Sequence, residues 1–117
     1  MKRVLLLVDD EADLGELFER LLAPSFDEVY FATDRVAADL LLARGEVTHL
    51  VVDSALDHKG TRGQDLICAW RRAHPTIRYA ALFTGRNLAK EQLPAEVDEV
   101  FSKPEGLEDL VARLRSK

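Results

Sequence analysis

The chain is poor in the features that would mark it as a secreted scaffold, a membrane protein or a nucleic-acid binder. Among 117 residues there is a single cysteine, Cys68, which excludes an internal disulfide and a thiolate metal site and points to a reducing compartment, the cytoplasm. No apolar run approaches the ~20 residues needed to cross a bilayer. The Met1-Lys2-Arg3 start reaches Asp9-Asp10 after only the five apolar residues Val4 to Val8, so neither a membrane span nor a signal peptide is expected. Basic residues are scattered, and 16 Lys+Arg against 21 Asp+Glu give a net charge of -5, which argues against direct nucleic-acid binding. Gly/Ser/Pro-rich linkers, low-complexity tracts and solenoid repeats are missing, as are the G-x-S-x-G elbow and the Walker glycine loop. With 47% hydrophobic and 32% charged residues, one soluble domain over 1–117 remains.

What is present is a rhythm of short apolar runs, each followed by an amphipathic stretch. Val4-Leu5-Leu6-Leu7-Val8 reads as a strand buried on both faces of a parallel sheet. Behind it Leu14, Leu17, Phe18, Leu21 and Leu22 keep helical spacing up to Pro24. Val29 to Ala32 is a second strand, and Val36, Ala37, Leu40 and Leu41 give the stripe of a second helix, with Thr33 or Asp34 as N-cap and Gly45 as stop. Leu50-Val51-Val52 ends at Asp53, and a polar loop leads to a third helix marked by Leu66, Ile67 and Trp70 and stopped by Pro75. Ala80 to Phe83 runs into Thr84-Gly85, and Val100-Phe101 precedes Lys103-Pro104. Leu107, Leu110, Val111 and Leu114 form a closing helix. Strands alternating with helices predict an α/β fold with a five-stranded, doubly wound parallel sheet between two helical layers.

Ligands of such sheets bind beyond the carboxyl ends of the strands, where the winding reverses. Those ends carry Asp9-Asp10, Asp53, Thr84 and Lys103. Converging carboxylates repel one another and need a cation to stay ionised together; hard oxygen donors favour Mg²⁺. Asp9-Asp10 as a plain helix cap, Thr84 as a turn residue and Lys103 as a surface charge are each reasonable singly. Asp53 is not, because an acid ending a run of buried aliphatics must be paired.

In this arrangement the chain resembles the receiver domains of two-component response regulators, the CheY-like family, over its whole length. Asp9-Asp10 in VLLLVDDE matches the family's metal-binding acidic pair, Asp53 in HLVVDSAL its phosphate-accepting aspartate, and Thr84 and Lys103-Pro104 its remaining positions. The resemblance implies a flavodoxin-like strand order 2-1-3-4-5. It also implies Mg²⁺ on Asp9, Asp10, Asp53 and the Ala55 carbonyl, phosphate binding by Thr84 and Lys103, and a cis peptide before Pro104. The partners it implies are a sensor histidine kinase or phosphotransfer protein and a downstream protein, with the domain a monomer or weak dimer and not an enzyme in its own right. The domain is then a stand-alone regulator or a piece of a longer protein. The alternative is an atypical receiver acting as a phosphorylation-independent interaction module. A haloacid-dehalogenase-type phosphatase would need an aspartate at Ala55, and a flavodoxin a hydroxyl- and glycine-rich loop in place of DDEAD.

The chain departs from this family at three places. Gly63 lies ten positions beyond Asp53, a longer acceptor loop than usual, with His58 placed to touch the site and Lys59 and Arg62 to guide phosphate or a partner. Val100 stands where a switching Tyr or Phe is usual, and Phe101, one residue later, should face the other side of the sheet. The interval from Thr84 to Lys103 is short and broken by Pro94, so the helix between them should be short or irregular. Cys68 and Trp70 are expected to be packing residues, and His49 and His74 structural or surface groups.

Overall fold

A computed structural model describes residues 2–56, 60–86 and 88–117. His58 and Lys59 lie outside the described residues. The strands are β1 (Val4–Val8), β2 (Glu28–Ala32), β3 (His49–Val52), β4 (Tyr79–Thr84) and β5 (Glu99–Ser102), and the helices α1 (Ala12–Leu22), α2 (Arg35–Leu42), α3 (Gly63–Ala73) and α4 (Leu107–Ser116). All strands are parallel, in the order β2-β1-β3-β4-β5. The chain therefore winds one way from β1 to β2 and the other way from β3 onward, and the reversal lies between β1 and β3.

Alternation along each strand divides the core in two. Val4, Leu6 and Val8 of β1 face a layer built from Ala38 and Leu42 of α2 and Leu66, Ile67 and Trp70 of α3. Leu5 and Leu7 face Phe18 and Leu22 of α1 and Leu110 and Leu114 of α4. A run such as VLLLV is apolar at every position because both faces are covered. Asp34 caps α2 by accepting from the Ala37 N–H at 2.8 Å, and Gly45 ends it at φ 73°, in the left-handed region.

The stripe expected on α2 is corrected by the structure. Val36 and Leu40 are 70% and 69% exposed, whereas Ala38 and Leu42 are buried and Ala37 and Leu41 half-buried. Apolar residues fill positions 36–38 and 40–42, so two neighbouring faces satisfy the same periodicity and only docking onto β1 and β2 chooses between them.

Between β4 and β5 the described residues hold a single 3₁₀ turn, Lys90–Gln92, and no α-helix. Leu88, Leu93 and buried Val97 cover the sheet there. The segment is tied down by charge: Arg71 of α3 donates to the Glu96 carbonyl at 2.9 Å and to Asp98 Oδ2 at 2.6 Å, and Arg72 reaches Glu96 at 3.1 Å. Asp98 Oδ2 also accepts from the Ala80 N–H at 2.9 Å. Val100 packs with the α2/α3 side and Phe101 with the α1/α4 side, as the offset predicts. Trp70 is buried and donates its indole N–H to Asp39 at 2.8 Å, and Cys68 is half-buried on α3.

His49 is fully buried at the amino end of β3, edge-on to Phe26 with ring centroids 5.0 Å apart. Desolvation pulls its pKa down to about 4, with Arg3 and Arg78 adding to the effect. A base whose folded pKa is depressed binds protons more readily when unfolded, so stability falls with pH between about 6.5 and 4. The imidazole is expected to remove up to about 3 kcal/mol over that window. Urea titrations at stepped pH should show this slope in the wild type, and a smaller slope in His49→Leu.

Candidate functional site

The site forms because β1 and β3 are hydrogen-bonded neighbours ending at the same level. Val8 pairs with Val52, so the next residues, Asp9 and Asp53, leave the sheet side by side. The Asp53 N–H donates to the Val8 carbonyl at 2.9 Å, and the Asp9 N–H to the Ala32 carbonyl at 3.0 Å. Asp9, Asp10 and Asp53 each bring a carboxylate oxygen within 4.8 Å of the others. Asp9 is fully buried, Asp53 nearly so, and Asp10 exposed.

Lys103 enters from the end of β5. Its Nζ lies 2.7 Å from Asp9 Oδ2, 3.3 Å from Glu11 and 3.8 Å from Asp53, and 5.5 Å from the centre of the Phe83 ring. The Lys103–Pro104 peptide is cis, as the resemblance implies. Gly106 then turns back against Ser102: a Cβ there would sit 2.6 Å from the Ser102 carbonyl oxygen, so no larger residue fits.

Burial, with the Asp53 charge in support, raises the Asp9 carboxyl above its ordinary value against the pull of Lys103 and of the Glu11 N–H, which donates to Oδ1 at 3.0 Å. The Lys103 ammonium is lowered by its own burial, but Asp9, Asp53 and Glu11 outweigh this and hold it above the ordinary lysine value. Three carboxylates, Asp9, Glu11 and Asp53, face this ammonium, and Asp10 adds a fourth to the cluster. The cluster is short of positive charge, and its hard oxygen donors fit a divalent cation such as Mg²⁺.

Thr84 ends β4 fully buried. Its hydroxyl is hydrogen-bonded to that of Ser54 and accepts from the Arg86 N–H at 2.9 Å. The Thr84 carbonyl accepts from the Lys103 N–H at 2.7 Å, fixing the two strand ends together. Ala55 follows the acid: its N–H donates to Asp53 Oδ1 at 3.4 Å, and it pairs with Arg62 in an isolated antiparallel bridge that closes the loop. Arg62 is engaged by Asp65 at 3.0 Å and turned along α3. At Gly63 a Cβ would meet the Asp53 carbonyl oxygen at 2.2 Å.

The structure thus gathers Asp9, Asp10, Asp53 and Lys103 at one end of the sheet, with Thr84 one strand over. Sequence reasoning missed Glu11, two residues beyond Asp9 and reached by Lys103, and Ser54, whose hydroxyl pairs with that of Thr84. The first had a signal, an acid facing a lysine; the second depends on β3 and β4 being paired.

The acidic cluster thus lies at the switch point of an open, doubly wound parallel sheet. No protein-family model and no curated protein matches the chain. Solved structures do. A signal receiver domain of an HD domain-containing protein from Pseudomonas fluorescens Pf-5 superposes with a TM-score of 0.75 at 23% identity, over 100% of both chains. A response regulator from Thermotoga maritima gives 0.75 at 18%, again over 100% of both. A response regulator protein from Burkholderia pseudomallei, solved with a phosphorylated aspartic acid, calcium ion and citrate, gives 0.77 at 20%, over 97% of this chain and 66% of that one. The fold of this chain is therefore that of the CheY-like receiver domains.

The charge imbalance has a direct consequence for stability without metal. Asp10→Ala relieves repulsion on Asp9 and Asp53 and should raise the melting temperature in EDTA. Lys103→Met leaves Asp9 buried without its charged partner and should lower stability by about 2 kcal/mol. Thermal melts of both variants beside the wild type measure the two signs; a fall for Asp10→Ala would show that its charge does not press on the cluster.

Proposed function

We propose that the chain is a phospho-acceptor receiver of a two-component system, taking a phosphoryl group onto Asp53 from a histidine kinase or phosphotransfer protein and modulating a protein interaction. The observation that carries this reading is the convergence of the Asp9, Asp10 and Asp53 carboxylates within 4.8 Å beneath the Lys103 ammonium. The receiver fold and the phosphorylated aspartic acid in the Burkholderia protein support it.

In this mechanism an Asp53 carboxylate oxygen attacks phosphorus. A P–O bond forms as the donor's P–N bond breaks, and the electron pair of that bond leaves with the donor imidazole. Phosphoryl transfer requires mainly positioning and neutralisation of charge on the equatorial oxygens. Mg²⁺, when held by Asp9, Asp10, Asp53 and the Ala55 carbonyl, supplies part of that neutralisation. Lys103 supplies the rest from its place beside Asp53. Thr84 lies one strand over, where its hydroxyl can donate to a phosphoryl oxygen. Among the described residues no helix is long and apolar enough to cross a membrane.

The second reading, a module whose partner binding ignores phosphate, rests on Val100 and on the non-helical path between β4 and β5. Both are departures in coupling and not in the acidic site, so the phospho-acceptor reading takes precedence.

Incubation with Mg²⁺ and acetyl phosphate or phosphoramidate should add one phosphoryl mass to the wild type and none to Asp53→Asn, whose amide is a far poorer nucleophile. Equal labelling of both would overturn the role of Asp53. Mg²⁺ should also raise the melting temperature of the wild type by mass action and leave Asp10→Ala nearly unmoved. In amide NMR spectra a beryllofluoride phosphate mimic should shift residues 54–56, 60–63 and 85–93 strongly and α4 little; comparable shifts along Leu107–Leu114 would show long-range coupling despite Val100.

A further inference from the structure

The buried hydroxyl pair formed by Ser54 and Thr84 joins the roots of two different loops. Ser54 follows Asp53 directly, and its carbonyl accepts from the Gly63 N–H at 3.0 Å, so it anchors both ends of the acceptor loop. Thr84 opens the segment leading to β5. Both side chains are shielded from water, with Ser54 5% and Thr84 0% exposed. The Thr84 oxygen already accepts from the Arg86 N–H at 2.9 Å, and the same hydroxyl pairs with that of Ser54, where either can be the donor. A hydroxyl carries one proton and two lone pairs. Where Thr84 is the donor to Ser54 its one proton is committed, and to donate to a phosphoryl oxygen on Asp53 it must then give up Ser54.

We infer that Ser54 is a positioning residue: its hydroxyl latches Thr84 in the unphosphorylated arrangement, and breaking that latch is the step that releases the two loop roots from each other. The inference rests on the phospho-acceptor reading of Asp53 and goes beyond it, because it identifies what the site must break to enter the phosphorylated state. A ligand shifts a two-state equilibrium only by its differential affinity, so a bond made in one state alone lowers the apparent affinity of whatever selects the other. A buried hydroxyl pair contributes of order 1 kcal/mol, equivalent to roughly five-fold in affinity. The latch couples the acceptor loop, which follows β3, to the segment after Thr84, which follows β4.

The test is a double-mutant cycle read by beryllofluoride affinity in Mg²⁺, using wild type, Ser54→Ala, Thr84→Val and the double variant. The latch requires Ser54→Ala to bind roughly five-fold more tightly than wild type, and the gain to vanish in the Thr84→Val background. A merely structural role for Ser54 would weaken binding in both backgrounds; that result, or no change, overturns the latch and leaves the phospho-acceptor reading standing. Absence of beryllofluoride binding by both wild type and Ser54→Ala would overturn the two together. Circular dichroism of the four proteins verifies that each is folded, and Ser54→Gly, which removes the same hydroxyl, must reproduce the tightening.

Discussion

Everything at the site follows from the repulsion among carboxylates at the ends of two adjacent strands. Parallel pairing of β1 with β3 aligns Val8 with Val52, so the acids that follow leave the sheet together. Neither can turn away, because the backbone amides that precede their side chains are bound to neighbouring strands. Burial of Asp9 then makes its charge costly, which is why its carboxyl sits above its ordinary value even with an ammonium 2.7 Å away. Lys103 offsets part of this from a distant part of the chain, since β4 and β5 bring it across two strands. The apolar sheet provides the rigidity against which this unfavourable charge cluster is held.

The apolar alternation is what makes that rigidity available. Residues of β1 alternate between two independent cores, one with α1 and α4 and one with α2 and α3, so the central strands cannot slip by one residue without exchanging every side chain between faces. The acids at the strand ends are thus positioned by the packing of the apolar strand residues that precede them.

Much of this was legible in the sequence because β1, β3 and β4 are apolar without interruption and each ends in a polar residue. The acidic pair, Asp53 and Lys103 could be placed from strand ends alone. The orientation of α2 could not: with six apolar residues in eight positions, its periodicity is satisfied by two faces, and docking selects Ala38 and Leu42. The cover over β4 and β5 was legible only as an interruption. Leu88, Leu93 and Val97 do not recur at a helical interval, and Pro94 removes a backbone donor among them. Ser54 was invisible because its partner lies thirty residues on and is brought near by strand pairing, for which an isolated serine gives no signal.

The same non-helical cover bears on how a signal could leave the site. A packed helix between β4 and β5 would bury an apolar stripe and resist displacement. Here the segment is held by Leu88, Leu93 and Val97 and by charge contacts from Arg71 and Arg72 to Glu96 and Asp98. The Arg72–Glu96 pair, exposed at its arginine, contributes little and weakens with salt, and with Arg71 as its half-buried tie and no helical hydrogen-bond ladder this stretch is held by fewer contacts than the helices. It begins at Thr84, the residue whose hydroxyl pairs with that of Ser54. On the other face, α4 rests on fully buried Leu110 and Leu114, and Phe101 packs with that core instead of facing Thr84. A change at Thr84 therefore meets soft structure on one side and a close-packed core on the other. Close-packed cores transmit displacement only by moving as a whole, so the free-energy difference between two states of Thr84 is spent in the segment it opens.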